Sequence, residues 1–306
     1  MSNRHKKGRD VSGWICLDKP VGQTSTAAVA VLKRLFGARK VGHAGTLDPL
    51  ASGALPIAFG QATKTVPFVQ DGEKLYRFTV RWGVETDTDD AEGKAIATSD
   101  IRAERAAVVA LLPEFTGAIM QRPPTFSALK IDGARAYDLA RAGEEVVLDE
   151  RPVEIGRLEL IAEPDRDHAV FEAECGKGTY VRSLARDIGR RLGSRGHVTE
   201  LRRLRVGPFG EETMTPLAAL VAAREEGEAD VLDRFLLPVG FALAGLPEIV
   251  IPPNDLPRLR SGQPVLLRGR DAPAFAGTVQ AVSRGETVAI GEIAEGQFHP
   301  RRVFAA

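Results

Sequence analysis

From Ala169 to Cys175 the chain reads AVFEAEC, with Ala169, Phe171, Ala173 and Cys175 at one parity and Val170, Glu172 and Glu174 at the other. Successive strand side chains point to opposite faces, so this pattern predicts a strand with one face in a core. LYRFTVRWG (75–83) predicts a second strand, and VSGWICLDKPVG (11–22) a short buried one closed by a Lys19-Pro20 turn. Thr24 or Ser25 then caps a helix reaching about Phe36, with Val29, Leu32, Leu35 and Phe36 as its stripe and Gly37 as its stop. ETDTDDAEG (85–93) reads as an exposed acidic turn, and RAERAAVVALLPEF (102–115) as a helix ending near Pro113. QRPPTFSALKIDGARAYDLARAG combines a Pro-rich loop, a hairpin-like turn and a short helix. In YVRSLARDIGRRLG the apolar Val181, Leu184, Ile188 and Leu192 have helical spacing, while Arg182, Arg186 and Arg190 form a separate row. Strands and helices mix without strict alternation, which predicts an α+β fold.

Beyond residue 246 the pattern becomes short strands separated by Gly/Pro turns: PVLLRG, FAGTVQAVSRG, TVAIGEIAEG, RRVF. The expected organisation is a disordered basic tail (1–10), a main domain (11–245) and a small all-β domain (246–306).

Composition changes little in this picture. The 306 residues carry a formal net charge of zero. No stretch approaches the roughly 20 apolar residues of a membrane span, and MSNRHKKGRD is followed by no hydrophobic signal core. Cys16 and Cys175 match no metal-ligand spacing and read as reduced core residues, so a cytoplasmic protein is expected. The charges are segregated: basic residues concentrate in 1–40 and 182–205, acids in 85–92 and 225–233. Two cationic faces can hold a polyanion, and a set of solvated surfaces gives the same pattern. Charge alone leaves both readings open.

The chemistry concentrates in GHAGTLDPLASGALPIAFGQATK (42–64), which holds two prolines, one histidine and a single carboxylate, Asp48. Asp before Pro is a common turn former. So many small residues around one acid also let a ligand or another backbone approach closely, which suits a nucleophilic carboxylate. His43 has no second His or Cys at ligand spacing, so no metal site is expected. Lys19, Lys64 and Lys130 read singly as surface lysines, and Tyr76 and Tyr180 as core aromatics with a wet hydroxyl. Arg182 opens a helix, where a cation is poorly placed against the dipole and so suggests an anionic partner. GKGT (176–179) is a weak phosphate-cradle signal lacking the rest of a P-loop.

The 42–64 stretch closely resembles the catalytic motif of the TruB family, the tRNA pseudouridine-55 synthases. LDKPVGQTS, KLYRFTVRWGVETDTDDAEG, PPTFSALKIDGARAYDLAR, CGKGTYVRSLARDIGRRLG and HVTELRRLRVGPF extend the likeness in the same order over about 200 residues. The resemblance implies a pseudouridine synthase fold: a mixed, mainly antiparallel central sheet flanked by helices, followed by a small PUA-like RNA-binding domain. It implies that Asp48 is the catalytic aspartate, Arg182 its partner, and Tyr76 the ring stacking on the target base. Tyr180 and Leu201 match pocket residues, His43 a residue packing where the base has left its stack, and Lys19, Lys64 and Lys130 the RNA path. Ala44 and Ser52 stand where relatives often have Thr. The implied activity is cofactor-free isomerisation of uridine in tRNA by a monomer without an obligate protein partner. The alternatives are a tRNA-binding chaperone with incidental catalysis, or a synthase acting on another RNA. The short C-terminal segment favours the stand-alone bacterial type over the H/ACA-guided relatives.

Overall fold

The computed structural model describes residues 8–127, 130–131, 134–135, 148–267 and 276–304, with the backbone alone at 130–131 and 134–135. Its centre is a nine-stranded mixed sheet made of β1 (Gly13–Lys19), β2 (Val41–His43), β3 (Ala51–Phe59), β4 (Lys74–Trp82), β5 (Gly117–Gln121), β6 (Arg151–Asp165), β7 (His168–Cys175), β8 (Gly196–Val206) and β9 (Met214–Pro216). The spatial order is β9-β1-β3-β8-β4-β7-β6-β5, with β2 pairing β3 off that path. Only β1/β9 and β3/β8 are parallel; every other pair is antiparallel. The expected mixed, mainly antiparallel sheet is present.

The alternation in β7 is realised: Ala169, Phe171, Ala173 and Cys175 are buried, and their neighbours are not. Phe171 stacks on Phe78 of β4 with ring centroids 5.4 Å apart. The opposite face of these strands is tiled with paired charges, Arg77 to Glu172 and Arg157 to both Glu172 and Glu174. Such partly exposed pairs contribute little stability each.

The helices are α1 (Ser25–Leu35), α2 (Val66–Asp71), α3 (Arg105–Leu111), α4 (Val181–Arg191), α5 (Leu217–Glu226) and α6 (Leu256–Arg260). Thr24 caps α1, its side chain accepting from the Ala27 N–H at 3.1 Å, and Gly37 follows with φ +60°. The α3 segment continues as a 3-10 turn, Leu112–Phe115, around Pro113. In α4 the side chains of Val181, Leu184, Ala185 and Ile188 are buried and belong to the same core as Phe78, Val80 and Leu201.

The C-terminal strands make a separate five-stranded sheet in the order Glu248–Val250, Gly277–Ser283, Glu286–Ala294, Gln297–Val303, Val265–Leu266. The helix α6 interrupts what reads in sequence as all-β. At the other end, Gly8–Asp10 pair with the body: Arg9 exchanges backbone hydrogen bonds with Gly37 and Arg39 and reaches Asp233 at 2.6 Å. The expected helix after the IDGA turn, and residues 1–7 of the expected tail, lie outside the described residues.

The acidic segment 85–93 departs from the sequence reading. Glu85, Asp89 and Asp90 are buried instead of forming an exposed turn. The reason is the arginine row of α4: Arg182 reaches Asp90 at 3.2 Å, Arg186 reaches Asp89 at 2.9 Å, and Arg190 donates to Glu85 at 3.0 Å. Carboxylates enter an interior when each meets a hydrogen-bonding cation. The basic excess of 182–205 is therefore partly consumed inside the protein, so it is not a free cationic face.

Gly53 has φ +97°, and a Cβ there would lie 2.2 Å from the Arg203 carbonyl oxygen of the neighbouring strand. Gly53→Ala is expected to lower unfolding stability by more than ~2 kcal/mol, measured by chemical or thermal denaturation.

Candidate active site

The Asp48 loop runs between β2 and β3 and is fixed at several points. Ser25, at the first turn of α1, accepts from the Leu47 N–H at 2.8 Å and donates to the Leu47 carbonyl at 3.0 Å. Gly22 N–H donates to the Pro49 carbonyl at 2.8 Å, and Ala51 N–H to the Asp48 carbonyl at 3.1 Å. Leu47 is buried, but the Asp48 side chain retains 37% exposure. The tight neighbours thus anchor the backbone while leaving the carboxylate facing open space.

Arg182 comes to that carboxylate from α4. Its Nε stands 3.0 Å from Asp48 Oδ2, an ion pair in which the N–H is not aligned as a hydrogen bond. The rest of the guanidinium is held from behind: Nη1 donates to the Thr88 carbonyl at 2.8 Å and to Asp90, and Nη2 to the Phe126 carbonyl at 3.0 Å. The start of the helix is thus an acceptable place for this cation, because two carboxylates and two carbonyls surround it. Burial pushes the Asp89 carboxyl up to about 6 against the pull of Arg186 and Arg182.

A cavity of about 350 Å³ opens beside Asp48, with Tyr76, Leu201, Tyr180, Lys74, Arg182 and Arg203 in its wall. Tyr76 and Arg203 are cross-strand neighbours on β4 and β8. Burial raises the Tyr76 hydroxyl pKa, and the adjacent Arg203 opposes the shift. Tyr180 precedes α4 and is held by a reciprocal pair of bonds: its N–H donates to Gln121 Oε1 at 2.8 Å, and Gln121 Nε2 donates to its carbonyl at 3.1 Å. The Arg151 guanidinium lies 5.2 Å from the Tyr180 ring centroid and donates to the Gly178 carbonyl. GKGT also lines the cavity, but Lys177 pairs with Asp71 at 2.8 Å.

The remaining expected residues divide. Lys19 is no surface lysine: it is 0% exposed, and its ammonium donates to the carbonyls of Pro20, Gln23 and Pro49 at 2.8, 2.7 and 3.4 Å. Burial pulls its pKa down to about 8 while Asp48 pulls it up. Lys64, at the end of the 3-10 turn Gly60–Lys64 that follows β3, donates to the Val303 carbonyl at 2.7 Å and ties that turn to the C-terminal sheet. His43 sits half-buried on β2, outside the cavity wall, its basicity lowered by burial and by Arg203. The backbone of Lys130 forms a two-residue strand with its hairpin partner, and its side chain lies outside the described residues.

Sequence reasoning missed Ser25, Lys74, Gln121 and Arg203. Lys74 is buried and donates to the carbonyls of Gln70 and Gly72. Arg203 is two positions from Leu201 along a strand, and the alternation rule would have put both on one face.

Residues 33–181 match the family model described as "TruB family pseudouridylate synthase (N terminal domain)", and 182–244 match "tRNA pseudouridylate synthase B C-terminal domain". A tRNA pseudouridine synthase B from Bradyrhizobium diazoefficiens is 60% identical over 299 residues, covering 97% of this chain and 86% of that protein. The chain belongs to the TruB family. It is a pseudouridine synthase, and hence an isomerase. Another tRNA pseudouridine synthase B, from Agrobacterium fabrum, is 56% identical over 306 residues and covers 99% and 97% of the two chains. Among solved structures, an H/ACA ribonucleoprotein bound to a substrate RNA containing 2'-deoxyuridine aligns with TM-score 0.75 at 25% identity, over 100% of this chain and 93% of that one. A Cbf5-Nop10-Gar1 complex aligns with TM-score 0.71 at 28% identity, over 96% and 84%.

In this TruB-family site burial brings the Lys19 pKa down to about 8, so its ammonium is expected to lose its proton as pH rises through that range. Deprotonation removes a charge near Asp48 and one donor to the loop carbonyls. The single-turnover rate is expected to fall as pH rises through about 8. Lys19→Met, slower throughout, is expected to lack that limb in a rate–pH profile.

Proposed function

We propose that this chain converts uridine to pseudouridine at position 55 in the T-loop of tRNA, with Asp48 as the nucleophile and the target base flipped into the cavity. The observation that carries this reading is the 3.0 Å Asp48–Arg182 pair at a cavity walled by Tyr76 and Leu201. The tRNA substrate is the one printed in the names of its relatives.

Isomerisation breaks the C1′–N1 bond, turns the uracil and joins C1′ to C5. No electrons are gained or lost overall, so the reaction calls for no redox cofactor. The nucleophile must be ionised, and a neighbouring guanidinium favours the charged carboxylate. One carboxylate suffices here, whereas glycoside hydrolysis commonly uses two and a water. The detached uracil must also be kept from water, which the Tyr76 and Leu201 wall serves.

Extruding a base from a folded loop costs a few kcal/mol, and stacking on Tyr76, worth ~1–3 kcal/mol per base, offsets much of it. Lys19, Lys74 and Arg203 add charge around the site while bonding to backbone carbonyls, which favours a polyanionic substrate. The C-terminal sheet, read as PUA-like, adds RNA contact surface. The enzyme works as a monomer in the cytoplasm.

Asp48→Asn is expected to keep tRNA affinity within about threefold while lowering product formation by at least ~10⁴-fold. Incubation with unmodified tRNA transcript, followed by position-resolved mapping of pseudouridine, tests both site and substrate. Product persisting in the variant would remove Asp48 from its role.

A further inference from the structure

Arg203 is 1% exposed and lines the cavity. Its Nε donates to the Ala54 carbonyl at 2.7 Å, Nη1 to the Thr46 carbonyl at 3.3 Å and Nη2 to the Gly45 carbonyl at 3.2 Å. Those three bonds use three of a guanidinium's five N–H groups. The others remain for the Tyr76 hydroxyl beside it and for what enters the cavity. Among the described residues no carboxylate pairs with it. Arg182, Arg186 and Arg190 all have acidic partners. A buried cation lacking a counter-ion is costly to the fold, and it exerts a strong field because the surrounding dielectric is low.

We propose that Arg203 stabilises the anionic uracil formed when the glycosidic bond breaks. This rests on the pseudouridine reaction proposed above. When C1′–N1 breaks, its electron pair leaves with the base, giving an anion delocalised over N1 and the carbonyl oxygens. When C5 joins C1′, the H5 proton is lost, N1 takes up a proton, and Asp48 is released from the sugar. The charge on the base exists only between these events. A base against Tyr76 lies next to the residue paired across the strands with Arg203. The base in that position is the entering group set beside Arg203, so the charge developing on it is the anion that fits. Arg182 already balances Asp48 and Asp90, and Lys74, also in the wall, gives its protons to the Gln70 and Gly72 carbonyls; Arg203 is the cation paired across the strands with Tyr76.

The test compares single-turnover rates on tRNA with uridine or 5-fluorouridine at the target position. Fluorine makes uracil a more stable anion, so bond cleavage depends less on help from the protein. Cleavage is read as loss of the parent nucleoside after digestion. Arg203→Met is expected to slow the uridine reaction by ~10²–10³-fold with unchanged tRNA Kd. Its loss on 5-fluorouridine is expected to be roughly tenfold smaller, a difference that a merely structural role would not produce. Arg203→Lys, which keeps a charge, is expected to lose less with the same substrate dependence, and it carries the test if the methionine variant does not fold. Equal losses on both substrates, or no loss, overturn the assignment. A wild-type protein that leaves tRNA uridine unchanged overturns the underlying reaction instead.

Discussion

Arg182 divides its guanidinium between two carboxylates from distant parts of the chain, and the site is organised around that division. Asp90 and two carbonyls hold one edge, while Nε is presented to Asp48. The arrangement requires the 85–93 segment to lie inside, which in turn requires Arg186 and Arg190 to neutralise Asp89 and Glu85. It also requires α4 to be fixed against β4 and β8, which its apolar stripe achieves. Remove the acids and the arginine row would be a buried charge problem; remove the arginines and the acids could not enter.

A second organising device works through the main chain. Lys19, Lys74 and Arg203 are all enclosed, and all give their protons to backbone carbonyls. Carbonyl dipoles solvate a cation without cancelling its charge, so these three cations keep their field near Asp48 although the whole chain is neutral. Paired charges, by contrast, cover the far side of the sheet and leave little field there. The two faces therefore differ in charge pairing more than in the number of charges.

Several elements were legible in the sequence because they depend on near neighbours. Strand alternation in 169–175, the Thr24 cap and the apolar stripe of α4 are local signals, and each was realised within a residue or two. The fate of the charges was not legible in the same way. Asp90 meets Arg182 across 92 positions, and nothing in ETDTDDAEG announces that partner; the same letters describe an exposed turn. Lys19 is equally opaque, because its partners are carbonyls that every residue possesses. The helix Leu256–Arg260 hides between prolines for a related reason, since Pro257 suits a first helical turn as well as a loop.

The use of backbone oxygens around Asp48 has a consequence for how this loop can change over time. A clamp that grips carbonyls does not inspect side chains. Arg203 bonds to positions 45, 46 and 54, and Lys19 to 20, 23 and 49, whatever residues supply the oxygen. A substitution that keeps the backbone path, at Ala44 for example, therefore leaves the carboxylate in its place. The exceptions are positions where the backbone itself is special, such as Gly53 with its positive φ and an adjoining strand in the way. Drift in this loop is constrained by room and geometry, and far less by the chemical identity of its side chains.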